Sequence, residues 1–156
     1  MKKLIPLLAL FLISKSLLSQ VNYLDLISIN SLHSFQRVVI ENNFELSSLS
    51  NDTLMVYGYN LSKDSSDEKA NQWAYYNQES TGFLFVFVLN EFSRLMLGEE
   101  YSSPYYKTTD EIKTNCTFYK IIDNYSCYSC SKSTYKGKIG FKLMDGNGMI
   151  RHFPDE

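Results

Sequence analysis

The stretch Gly82-Phe83-Leu84-Phe85-Val86-Phe87-Val88-Leu89 is apolar at every position after its glycine. Successive side chains of a strand point to opposite faces, so a strand here is apolar on both of them. Seven apolar residues in a row are far short of the roughly 20 that a helix needs to cross a bilayer. The segment predicts the central strand of a soluble sheet, covered on two sides. Twelve tyrosines and ten phenylalanines against seven glycines and three prolines point the same way, to a strand-rich domain with few helices.

The flanking chain supplies partners for that strand. Leu24 to Ile29 is apolar and ambiguous between strand and short helix. Asn30-Ser31 offers a cap for a helix whose Leu32, Phe35, Val38 and Val39 share one face, and Asn42-Asn43 should end it, because asparagine tolerates the left-handed geometry of a helix terminus. Phe44–Leu49 and Thr53–Asn60 then read as strands joined by a turn at Ser50-Asn51-Asp52. After a polar loop, Gln72–Asn77 forms a hairpin with the opening stretch across Gln78 to Thr81.

The second half follows the same order. Ser103 before Pro104 marks a helix start, Asn115 takes the place of Asn43, and Phe118–Ile122 with Tyr125–Cys130 match the first hairpin across Asp123-Asn124. Asp145-Gly146-Asn147-Gly148 supplies the last hairpin turn, and Phe153 answers Phe87. Lys136, Lys138 and Lys142 alternate with Ile139, Phe141 and Leu143, so the second half is one-sided where Gly82–Leu89 is not. The expected fold is α+β, with repeats over residues 30–90 and 103–154, each a helix plus four strands, pooling their strands in antiparallel sheet with helices packed on one face. This plan resembles the tandem repeats of the β-lactamase-inhibitor-like folds, and the overall run of motifs resembles small secreted proteins of Bacteroidota. Neither resemblance carries an activity or a functional residue across.

Met1-Lys2-Lys3, the apolar run Leu4–Ile13 and Ser19-Gln20 have the form of a secretory signal peptide over residues 1–19, leaving 20–156 as a single domain. The expected destination is the periplasm or the outside of a bacterial cell. Removal of Lys2, Lys3 and Lys15 leaves 12 basic against 17 acidic residues, a balance of −5, which argues against nucleic acid as a partner. A chain of this length buries enough surface to fold without a metal or a disulfide.

Cys127-Tyr128-Ser129-Cys130 has the spacing of a redox motif but not its context. The segment alternates like a strand, which sets the two Cα atoms roughly 10 Å apart, beyond bridging distance, and no helix N-terminus is at hand to lower a thiol pKa. Three cysteines in an exported chain suggest one bridge and one free thiol. The bridge expected is Cys116–Cys130, since Cys116 lies at the helix end and Cys130 shares a face with Tyr128, opposite Cys127. His33 and His152 have no paired metal-ligand spacing and no nucleophile to serve. Asp64, Asp67 and Glu68 lack the graded spacing of a calcium loop. No metal and no cofactor is expected. Asn51, Asn60, Asn115 and Asn124 head Asn-x-Ser/Thr triplets, which matter only in a glycosylating host.

What remains is the aromatic content. If helices cover the face bearing Leu54, Val56, Trp73 and Tyr75, alternation turns Tyr57, Tyr59, Tyr76, Leu84, Val86 and Val88 to the other face as a candidate binding surface, tyrosine giving large contact area with few rotors. The expected function is an exported binding or interaction module for a protein or envelope component. The alternatives are a small hydrolase or redox enzyme with its site between the repeats, and a self-associating structural protein in which Gly82–Leu89 completes a sheet across a homodimer.

Overall fold

The computed structural model describes residues 21–62, 67–89 and 103–155. The signal-peptide reading of 1–19, Asp64 of the acidic loop and the linker Phe92–Leu97 lie outside these residues. Among the described residues there are three helices, α1 (Tyr23–Ser28), α2 (Leu32–Glu41) and α3 (Pro104–Asn115). Eight strands complete the fold: β1 (Phe44–Leu46), β2 (Leu54–Tyr59), β3 (Gln72–Asn77), β4 (Gly82–Val88), β5 (Thr117–Ile122), β6 (Tyr125–Ser129), β7 (Lys138–Met144) and β8 (Asn147–Phe153). They form one antiparallel sheet in the order β1-β2-β3-β4-β8-β7-β6-β5.

Local chemistry accounts for the boundaries. The ambiguous segment after Asn22 is helical because the Asn22 side chain accepts from the N–H groups of Leu24 and Asp25, while Asp25 accepts from the Asn22 N–H at 3.0 Å. Ser31 and Ser34 form the same reciprocal cap on α2. Asn43, at φ 55°, ends that helix in the left-handed region as its residue type predicts. Asn115 does not repeat this: it is the last residue of α3, donates its side-chain amide to the Glu111 carbonyl at 2.8 Å, and Cys116 is already extended, so the chain runs straight into β5. Asp123-Asn124 and Asp145-Gly146 both have positive φ, as two-residue hairpin turns require.

β4 is central, paired with β3 on one edge and β8 on the other. Both of its edges are occupied within the chain, so it does not complete a sheet across a dimer as the self-association alternative required. Its Phe83, Phe85 and Phe87 are buried, whereas Leu84 and Val86 are half-buried and Val88 is exposed.

One core joins helices and sheet. Leu26, Phe35, Val38, Val39, Tyr105 and Ile112 of the helices cluster with Tyr57, Ala74, Tyr76, Phe85, Phe87, Ile139 and Ile150 of the strands. Phe35 is the hub, 5.1 Å from the Tyr76 ring and 5.9 Å from those of Tyr57 and Phe85. Gly148 lets α3 approach, because a Cβ there would collide with the ring of Tyr105, which packs 5.9 Å from Phe87. The N-terminal segment is tied down by long-range bonds: the Tyr23 N–H donates to Glu111 and the Thr108 hydroxyl to the Val21 carbonyl, both at 3.1 Å. The Thr134 N–H reaches the Ile27 carbonyl at 2.8 Å.

Cys116 and Cys130 form the disulfide expected of them, with Cα atoms 4.5 Å apart, and Cys127 is free and buried. Cys130 belongs to the core cluster and Cys127 does not, as strand alternation requires.

Candidate functional site

The strand register sorts the candidate binding residues into two sets. Tyr57, Ala74, Phe85, Ile150 and Phe141 stand side by side across the sheet. Tyr57 is 5% and Tyr76 2% exposed, and Tyr59 packs 5.7 Å from Phe44 at the margin of the same core. Tyr57 and Tyr76 are core residues and Tyr59 is partly buried against the same core, contrary to the expectation that the three lie on a face turned from the helices. The alternation itself holds, but β4 is apolar at every position and so could not indicate which of its faces meets the helices. The larger rings of Phe83, Phe85 and Phe87 fill the space between helix and sheet. Leu84, Val86 and Val88 lie in the alternate set, and their neighbours are Trp73 and Tyr75 rather than the expected tyrosines.

That alternate set forms continuous rows. One runs Val56, Tyr75, Leu84, Arg151, Gly140, Cys127 and Lys120; the next runs Gly58, Trp73, Val86, Met149 and Lys142. None of these residues belongs to the core cluster. At the β2 end, loop residues fold over the sheet, since a Cβ on Gly58 would meet Leu61 and Ala70. From β3 to β7 the rows carry Trp73 and Tyr75, with rings 6.4 Å apart, then aliphatic side chains, then a mixed basic and aromatic patch.

Gly140 shapes the patch. A Cβ there would sit 2.8 Å from the Cys127 sulfur and the Phe153 ring and 2.9 Å from Tyr125, so only glycine lets these three close over the strand. Tyr125 and Phe153 meet edge to face at 5.3 Å. Lys142 lies 4.2 Å from the centre of the Tyr125 ring and Arg151 4.9 Å from that of Phe153, within cation–π range. Burial pushes the Cys127 thiol pKa up, so it is protonated at neutral pH and is neither a nucleophile nor a ready metal ligand.

The histidines are not assembled with one another. His33 is exposed on α2, while His152 is buried on β8, stacked on Phe83 at 5.3 Å and edge-on to Tyr135 at 4.7 Å. Its Nε2 lies 2.9 Å from the Lys136 carbonyl oxygen. A carbonyl only accepts, so Nε2 carries the proton. Burial lowers the His152 pKa, against the opposing pull of the backbone at Lys136 and Thr81 and of Asp155. Its Nδ1 and the Tyr135 hydroxyl are buried without a hydrogen-bond partner. Among the described residues no three His, Cys, Asp or Glu side chains are placed to hold a metal ion, and no helix is long and apolar enough to cross a membrane.

No protein-family model matches the chain, and neither a curated protein nor a solved structure resembles it significantly.

Proposed function

We infer that this protein is an exported binding module that holds a protein or envelope partner on the sheet face bearing Trp73, Tyr75, Leu84, Val86 and Val88. One observation carries the reading: the alternate residues of the central strands form continuous apolar and aromatic rows outside the core cluster, with Val88 45% exposed. Contiguous apolar surface of this kind costs solubility and is retained where something binds it. Tyrosine and tryptophan supply large, rigid contact area there. The Cys116–Cys130 bridge suits an oxidising compartment, in keeping with the signal-like residues 1–19.

The domain is read as two units over residues 30–90 and 103–154, related by a pseudo-two-fold axis, with the helices packed on one sheet face. Support comes from the strand order, which mirrors about the β4–β8 pair, and from the placing of α2 and α3 ahead of β1 and β5. The test is crosslinking and pull-down of the mature protein from its own envelope fraction. A Tyr75→Ala, Val88→Lys double variant should lose a partner that the parent captures, with its circular dichroism unchanged. Retention of every partner by the folded variant overturns the assignment.

A further inference from the structure

We propose that the β5–β8 part of this face receives the carboxylates of a protein partner whose apolar centre lies over Leu84, Val86 and Met149; this rests on the binding-module reading and names the partner's chemistry. The sheet face is divided by charge. Its positions on β2, β3 and β4 carry no ionisable group other than Tyr75, while those on β5, β7 and β8 carry Lys120, Lys138, Lys142 and Arg151 and not one carboxylate. Of these cations only Lys138 has an acidic partner among the described residues, Asp155 at 3.0 Å. A chain with an excess of acidic residues thus keeps Lys120, Lys142 and Arg151 together with no ion pair among the described residues, although the Asp123 carboxylate at the β5–β6 turn acts on the same Tyr125 and Cys127 as Lys120 and Arg151 do.

Aromatic rings hold the cations in place. Lys120 and Lys138 lie 5.2 and 5.1 Å from the centre of the Tyr119 ring, Lys142 sits on Tyr125, and Arg151 on Phe153. Each long side chain is thereby ordered before a partner arrives, which removes part of the entropy cost of binding. It also occupies ring faces on which a sugar would stack. The adjoining Leu84, Val86 and Met149 offer aliphatic surface that complements apolar side chains and little in a polyhydroxylated chain. An apolar centre with a charged flank is the ordinary composition of a protein interface, and the sign of the flank requires carboxylates opposite it.

The probes are poly-L-glutamate and polygalacturonate, each titrated against the full mature chain by fluorescence anisotropy at low and physiological salt. Poly-L-glutamate should bind with affinity that falls as salt rises. A Lys142→Glu, Arg151→Glu variant should bind it about tenfold or more weakly, whereas Lys132→Glu, Lys136→Glu, in the β6–β7 connection, should match the parent. Equal loss in both variants, no binding by the folded parent, or tighter binding of polygalacturonate overturns the proposal. So does a dimer in light scattering that the Lys142→Glu, Arg151→Glu variant dissolves, which would put a second copy on the face. If the polymer result fails while the envelope partner is still lost on changing Tyr75 and Val88, the binding-module reading survives and only the acidic chemistry falls.

Discussion

Acidification should weaken this fold through His152 before its carboxylates begin to titrate. The imidazole is 5% exposed, lies between Phe83 and Tyr135, and commits its one proton to the Lys136 carbonyl. Adding a second proton at Nδ1 places a charge in a buried site, a cost that the backbone at Lys136 and Thr81 and the Asp155 carboxylate offset only in part. Burial therefore holds the folded pKa below the ordinary 6.5. In the unfolded chain the residue takes up a proton as pH falls through about 6.5. Between that value and the lower folded pKa the unfolded state binds more protons, so this contribution is complete above the unfolded pKa and is lost as pH falls. For one histidine that stays neutral in the fold throughout, the loss from pH 7 to pH 5.5 is at most about 1.3 kcal/mol. In a domain of this size that is a fall in Tm of about 4 °C. Urea titrations followed by tryptophan fluorescence at pH 7.0, 6.25 and 5.5 would measure it, with a constant m-value as the check on two-state behaviour. His152→Gln can still donate to the Lys136 carbonyl but cannot charge, so its stability should be flat over the same range. A flat parent, or a His152→Gln variant with the parent's slope, refutes the reasoning.

Other expectations concern the bridge and the close approaches. Replacing Cys116 and Cys130 by alanine opens a loop of sequence separation 14 and should cost about 3 kcal/mol by loop-closure entropy, seen as a fall in Tm of roughly 10 °C; an unchanged Tm refutes it. Iodoacetamide should leave Cys127 unmodified in the native protein and label it fully in denaturant, because the thiol is buried and its pKa raised; rapid native labelling would mean that the strand opens. Gly140→Ala should destabilise by about 1–3 kcal/mol through overpacking against Cys127 and Phe153, measured by urea titration. Tyr76→Ala should cost about 3–5 kcal/mol as a core truncation; a near-neutral result would return Tyr76 to the surface.

The strands, their turns and the α2 cap are legible in the sequence because each is set by local chemistry: alternation, the Asn and Asp residues at left-handed turn positions, and Ser31 ahead of an apolar stripe. The Cys116–Cys130 pairing was legible too, since alternation alone separates Cys127 from Cys130. What the sequence could not convey is which face of the sheet Phe35 of α2 packs against. Both faces of β2 and β4 are aromatic or aliphatic, and on β3 the bulkier Trp73 and Tyr75 lie on the face away from Phe35, so neither hydrophobicity nor residue volume carries a preference. Phe35 needs ring neighbours, and it finds them in Tyr57, Tyr76 and Phe85. The basic patch was half visible in the alternating lysines of β7. Its other members, Lys120 and Arg151, come from β5 and β8, and only the register brings them into line.

The β4–β8 seam also constrains how the chain can be made. Its paired residues lie 59 to 67 positions apart in sequence, and β8 is the last of the eight described strands to be made. Until β8 has been made, β4 lacks that partner and is an open edge of the β1–β4 sheet, apolar on both faces. Such an edge is a template for intermolecular pairing. The interval between the making of β4 and that of β8 thus leaves an aggregation-prone strand exposed, and a chain truncated before β8 should precipitate rather than fold in part. Holding the chain unfolded until β8 has emerged removes that hazard.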